Sequence, residues 1–269
     1  MQAVAALGLS CLLTACGGNG GGGTDSSGSG GNSLGGGANV AASAAQAEGA
    51  WSGSNSLGNT FDMLLLETGD LYQVYGTPSS TGAFTALGLG QGRYTVSGNS
   101  LAAQFSQYNY VGAKLDGTLS ATIAAGTSIT GSAASAPGAN AVTFSAQPTS
   151  TLYPSYNYQT PAAISDISGP WISAYLLGQS APFLLNVDAA GLLSGSNLGC
   201  SFTGSITPRG SGKNVFNISI VFGQSPCAVP GDTASGVAFS YLTGSGKRQL
   251  IAAFQNPAKT RAGALYAQR

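Results

Sequence analysis

From about residue 50 onward the chain is a succession of short runs in which Val, Ile, Thr, Phe and Tyr alternate with small polar residues. Clusters of Gly, Asn, Ser or Pro separate the runs. The first half reads AFTALGL, RYTVSG, SLAAQF, GTLSATI, SITGSAA and AVTFSAQ; the second reads CSFTGSITP, NVFNISIVF, GVAFSYLT, RQLIAAF and GALYAQ. Such composition, period-2 alternation and punctuation predict β-strands joined by tight turns. Between Asn214 and Phe222 the alternation is plainest, with Val215, Asn217, Ser219 and Val221 interleaving with Phe216, Ile218, Ile220 and Phe222. Past the N-terminal apolar run, no stretch keeps a helical period between caps. The pattern predicts an all-β protein of two tandem antiparallel domains, about eight strands each. They form up-and-down barrels or, alternatively, β-sandwiches.

The two halves are expected to be repeats. Gly49-Ala50-Trp51 recurs as Gly169-Pro170-Trp171, 120 residues later, and these are the only two tryptophans in the chain. Each is followed by an apolar strand, TFDMLLLE (Thr60 to Glu67) or PFLLNVD (Pro182 to Asp188), then a glycine turn at Gly69 or Gly191 and another strand. The expected domains are residues 38–160 and 161–269.

A different pattern precedes them. Val4 to Ala15 is apolar, the length of a signal-peptide core and too short to span a bilayer. It ends in Leu13-Thr14-Ala15-Cys16, which resembles the bacterial lipobox. That resemblance implies a signal peptide over 1–15, cleavage before Cys16 and acylation (palmitate) of Cys16 as the membrane anchor, several acyl chains giving durable attachment where one is marginal. No Lys or Arg precedes Arg93, a departure from the usual basic n-region that points to a start codon upstream. Residues 16–37 continue as the lipidated cysteine and a Gly/Ser/Asn tether that cannot bury enough apolar surface to order itself. Gly17, not Asp, follows Cys16, and the enterobacterial pattern that this resembles implies the outer membrane, at its periplasmic face or at the cell surface.

Composition sharpens this picture. Charged residues are 7% of the chain, against about a quarter in ordinary soluble proteins, so Ser, Thr, Asn, Gln and Gly must face the water. Net charge is zero but segregated. Residues 38–160 carry five acids (Glu48, Asp62, Glu67, Asp70, Asp116) against two bases; residues 161–269 carry three acids against seven bases. The asymmetry allows the halves to dock on each other, or the second half to meet anionic headgroups. In an exported chain Cys200 and Cys227 are expected to form a disulfide.

The Gly-x-Trp opening each eight-stranded meander resembles the lipocalin-like (calycin) barrels. This implies that Trp51 and Trp171 each close one end of a barrel. It also implies a late Arg stacked over that Trp; Arg248 or Arg261 serves in the second half, and the first half has none. A glycine leash after a lipidated cysteine, leading to eight-stranded domains, also resembles surface lipoproteins of the transferrin-binding and factor-H-binding types.

Candidate chemistry is sparse. The chain has no histidine, which removes Ser-His-Asp triads, Cys-His pairs and most zinc sites. Gly31-Asn32-Ser33-Leu34-Gly35 imitates a nucleophile elbow but lies in the tether. GSGK at 210–213 and at 244–247 imitates phosphate loops, but Asn214 and Arg248 follow where Ser or Thr belongs, and both read as soluble hairpin tips. Asp62 and Glu67, on one strand five residues apart, point to opposite faces. No enzyme, metal or cofactor is expected, and no nucleic-acid partner. Tyr108, Tyr110, Tyr156 and Tyr158, set beside Asn and Gln, are the candidate binding residues, a pairing suited to sugars or peptides. The expected function is non-catalytic binding or scaffolding, of a small molecule or glycan or, alternatively, through the outer surface of side-chain-filled barrels; less favoured is a carboxylate-dependent hydrolase.

Overall fold

The computed structural model describes residues 45–78, 84–109, 113–135, 140–176 and 182–269; the expected signal peptide over 1–15, Cys16, the expected tether and Tyr110 lie outside them. The first barrel runs β1 (Gly49–Asn55), β2 (Thr60–Leu65), β3 (Asp70–Pro78), β4 (Phe84–Ser97), β5 (Ser100–Asn109), β6 (Lys114–Ala124), β7 (Ser128–Ala134) and β8 (Val142–Pro148). Every consecutive pair is antiparallel, and β8 pairs back onto β1, so the sheet closes. The second runs β9 (Gly169–Leu176), β10 (Phe183–Val187), β11 (Leu192–Asn197), β12 (Cys200–Pro208), β13 (Phe216–Phe222), β14 (Thr233–Leu242), β15 (Arg248–Gln255) and β16 (Ala262–Gln268), with β9 pairing both β10 and β16. The expected boundary at 160/161 falls in the connector, which holds one helical turn (Thr149–Leu152) and a 3-10 turn (Ile164–Asp166).

The alternation produces this closure directly. In β5, Leu101 and Ala103 face the first lumen while Ala102 and Gln104 are exposed; in β13, Phe216, Ile218 and Ile220 face the second lumen while Asn217, Ser219 and Val221 face out. Two expected strands, AFTALGL and RYTVSG, are one long strand, β4, kinked by a bulge opposite Tyr75 and Gly76. Glycine lets neighbouring strands close up: a Cβ at Gly204 would meet the Ser219 carbonyl oxygen, and one at Gly236 the Ala253 carbonyl oxygen.

Both lumens are filled. Trp51, Phe61, Met63, Leu65, Tyr94, Leu101, Ile123 and Ile129 pack the first; Trp171, Phe183, Leu185, Phe202, Phe216, Ile218, Ile220 and Leu265 pack the second. A hollow of about 110 Å3 remains among Phe61, Gln73, Tyr75, Phe105 and Phe144. It is smaller than the roughly 300 Å3 at which small-molecule sites begin.

Each Trp is held the same way. Trp51 Nε1 donates to the Ala47 carbonyl (2.8 Å) and Trp171 Nε1 to the Ile167 carbonyl (2.9 Å), so each ring sits inside its barrel under the segment that leads into the first strand. The cation over Trp171 is neither Arg248 nor Arg261. Arg269, one residue past β16, lies 4.5 Å from the ring centroid and donates to the carbonyls of Ser168 (2.6 Å) and Asp166 (3.1 Å). Arg248 is drawn to Asp166 and Arg261 to Asp232. Among the described residues no cation covers Trp51.

Cys200 and Cys227 form the disulfide, tying the start of β12 to the β13–β14 loop. Two outcomes follow. Reducing it, or Cys227→Ser, should lower stability by about 3.5 kcal/mol on the chain-entropy account of the 27-residue separation, measured by urea unfolding with and without reductant; an unchanged midpoint contradicts it. Arg269→Ala should cost about 1–2 kcal/mol, and Arg269→Lys should recover only part, because an ammonium cannot fork across two carbonyls while covering the ring.

Candidate functional site

Among the described residues both lumens are packed with side chains, so the site is sought on the outer faces. There the two barrels meet along a buried apolar seam. From the first come Ala50 of β1, Leu64 of β2, Leu66, Val74 of β3, Leu89 of β4 and Tyr108 of β5; from the second, Val215, Val237 and Phe239 of β14, Ile251 and Ala253 of β15, and Ala264 of β16. The connector threads between them: Tyr153 stacks on Tyr241 at 4.1 Å, and Tyr156 meets Phe239 edge-on at 5.8 Å. Each fully buried Val, Leu, Ile or Phe side chain of this seam contributes about 1.5–3 kcal/mol relative to exposure.

This seam holds three of the candidate binding tyrosines, and it corrects the expectation that they face a partner. Tyr108 and Tyr156 are each 2% exposed and Tyr158 is 7% exposed. Tyr108 donates to the Lys259 carbonyl (2.8 Å) and Tyr156 to the Asn214 carbonyl (2.9 Å), so both hydroxyls are used to join one barrel, or its connector, to the other. Tyr110 lies outside the described residues.

Segregated charge is spent at the same seam. Arg209 Nε donates to Glu67 Oε1 (2.7 Å), and Lys213 lies 3.0 Å from Glu48. In both pairs the acid belongs to the first half and the base to the second. Lys213 is therefore no solvated hairpin tip: it also donates to Gln159 (2.6 Å) and sits over the Tyr158 ring.

Among the described residues, Asp62 is the one carboxylate buried in the seam. It accepts from Ser52 Oγ and from Tyr241 OH (2.9 Å), and Ser52 in turn contacts Thr149 Oγ1 (2.9 Å). Glu67 is not on the same strand; β2 ends at Leu65, and Glu67 lies in the following turn. Burial pushes the Asp62 carboxyl up to about 6, against the lowering pull of its two hydrogen bonds.

Beside the seam lies an open groove of about 910 Å3, floored by the outer face of β3 to β6 and walled by Gln255 and Lys259 of the second barrel. It continues into a hollow of about 470 Å3 that shares Tyr72, Gln255 and Lys259 and is lined by Arg209, Asn217 and Ser219. Two cross-strand rows make its floor. Tyr72, Gln91, Ser106 and Asp116 lie in register across β3, β4, β5 and β6, and Asp70, Arg93, Gln104 and Thr118 form the next row. Arg93 pairs with Asp70 (3.1 Å), Ser106 donates to Asp116 (2.6 Å), and Lys114 approaches Asp116 (3.5 Å). The sequence gives no motif for this floor, because its residues are spread over four strands and only the closed register brings them side by side. Among the described residues no group of three His, Cys, Asp or Glu could hold a metal ion.

No protein-family model and no curated protein matches the chain. Among solved structures it is similar to a crystal structure of a “putative outer membrane protein” from Bacteroides fragilis, at 12% identity, covering 84% of this chain and 98% of that one with a TM-score of 0.21. An overlap so loose carries no argument about this chain.

The buried carboxyl gives a signed pH dependence. Asp62 is neutral in the folded state up to about pH 6, whereas the unfolded chain ionises near 3.8. Its contribution to stability is therefore fully present below about pH 4 and lost as pH rises through 6, on the order of 3 kcal/mol in all. Asp62→Asn should flatten the stability profile between pH 4 and 6, read from urea midpoints; an equally steep profile in the variant contradicts the assignment.

Proposed function

We propose that this chain is an exported bacterial lipoprotein, anchored through acylated Cys16, that works by non-catalytic binding or scaffolding on its outer faces. The observation that carries this reading is that both lumens are packed with side chains while an open polar groove runs beside the seam. A packed lumen favours surface action over a ligand enclosed as in a calycin cup. The lipobox-like Leu13-Thr14-Ala15-Cys16 and the Gly-rich segment after it supply the anchor and the tether. The outer membrane is the proposed site, on the strength of Gly17.

Carboxylate placement supports a binding role over a hydrolytic one. Asp70 and Asp116 both line the groove, but they sit on β3 and β6, three strand spacings apart. That is about 14 Å along the sheet, beyond the roughly 5–10 Å separating the working carboxyls of glycosidases. Asp62 is enclosed between the barrels.

The anchor is tested by expressing the full chain in bacteria fed labelled palmitate. Wild type should incorporate label and sediment with membranes, and Cys16→Ser should do neither. Label retained in the variant contradicts the anchor.

A further inference from the structure

The hairpin that joins β11 to β12 has the wrong residue for its own backbone. Asn197 pairs with Cys200, so the turn is two residues long, and both Leu198 and Gly199 take positive φ (49° and 84°). Such turns favour Asn, Asp or Gly at the first place, because the Cβ of other residues crowds the backbone there. Here a leucine takes it and stays 87% exposed, so the crowding is not offset by any burial. The turn is also fixed in place. A Cβ on Gly199 would stand 3.1 Å from the Pro226 ring, and the adjacent Cys200 is tied to Cys227.

The surroundings of Leu198 are apolar and uncharged. Leu184 of β10, in register with Ser196 two residues before Leu198, is 68% exposed. Pro182, Pro226 and Ala228 at the same end of the barrel are exposed as well. Residues 189–208 and 214–231 contain no Asp, Glu, Lys or Arg. Of the charges on the other described loops at this end, Asp232 and Arg261 pair with each other (3.5 Å), and Lys259 lines the groove. The charged end is the opposite one, where Arg209, Lys213 and Arg248 are already matched by Glu67, Glu48 and Asp166.

We infer that this hairpin tip, led by Leu198, inserts into the apolar margin of the lipid bilayer to which the chain is anchored. The inference deepens the surface role proposed above and rests on its membrane location. An exposed leucine on a fixed turn, flanked by apolar residues and with no charge to strip of water, suits the boundary between headgroups and acyl chains. A protein partner is oriented by charges placed around the contact; a bilayer needs none. The chain is long enough for this. β1 begins at the far end, where the preceding Glu48 meets Lys213, but residues 17–44 can extend to about 90 Å. The nine residues of β12 cover about 30 Å. Holding the tip near the surface makes even a weak insertion effective.

The test holds the mature chain, residues 16–269 with Cys16→Ser, on phosphatidylcholine vesicles through an N-terminal hexahistidine tag and a nickel-chelating lipid. The chain has no histidine of its own, and Trp51 and Trp171 are buried in the lumens. Leu184→Trp therefore reports on the tip, and Leu192→Trp, a similarly exposed position (60%) at the opposite end of the barrel, is the control. Lipid brominated near the headgroup should quench L184W emission about twofold or more and L192W emission little. Salt should not change this, because no charge is matched. Leu198→Asn, which suits the turn, should relieve most of the L184W quenching while raising Tm by about 2–4 °C. Quenching that is absent from L184W, equal in both reporters, lost in high salt or unchanged by Leu198→Asn overturns the inference. So does a concentration-dependent blue shift of L184W without lipid, which would mean that a second copy covers the tip. Because the tag stands in for the acyl chains, failure here leaves the acylation of Cys16 intact, and failure of palmitate incorporation leaves this result intact.

Discussion

The seam between the barrels is the constraint on which the rest of the structure depends. An eight-stranded barrel can bury its inward side chains alone, yet here several strands are apolar on the outward face as well. β2 is buried at five successive positions from Phe61 to Leu65, and β15 at six from Gln249 to Phe254. Left in water, those outward faces would expose a large continuous apolar patch of the kind that marks an interaction surface. Docked together, they form a third core between the two lumens, and the polar atoms at its margin are drawn into Tyr-to-carbonyl bonds and acid–base pairs across it.

Much of this was legible in the chain, and the misses have a common cause. Period-2 alternation predicts β5, β6 and β13 because one face of each meets water. Glycine turns are equally readable: Gly69, Gly98 and Gly126 all take positive φ at hairpin bends, where any other residue would be strained. Where alternation fails, in MLLLE and RQLIAAF, the continuous apolar run signals a strand covered on both sides, and that signal places the seam. The tyrosines misled for a related reason. An aromatic beside an amide suits a binding face, but it suits an interface inside one molecule equally well, and only the fold tells the two apart. Arg269 differs from the expected Arg248 or Arg261 because those two are engaged by Asp166 and Asp232, whereas the chain delivers Arg269 just beyond the end of β16, over the Trp171 ring.

The groove was the least legible part, since it is a property of register. Tyr72, Gln91, Ser106 and Asp116 have no sequence spacing that marks them as a set; they meet because β3 to β6 pair without a slip at those positions. The same seam that hides the tyrosines brings Gln255 and Lys259 over this floor, so a wall of the groove exists only while the barrels stay joined. Packing between the barrels and the shape of the groove are thus linked, with Asp62 buried at the junction as the group whose ionisation opposes that packing.

The measurement that bears most directly on this account is scanning calorimetry of the full chain at pH 5. If the seam makes one body of the two barrels, the described fold melts in a single cooperative transition whose calorimetric and van't Hoff enthalpies agree. Two resolved transitions, each with the enthalpy of a half-sized domain, would mean that the barrels stand independently and would contradict it.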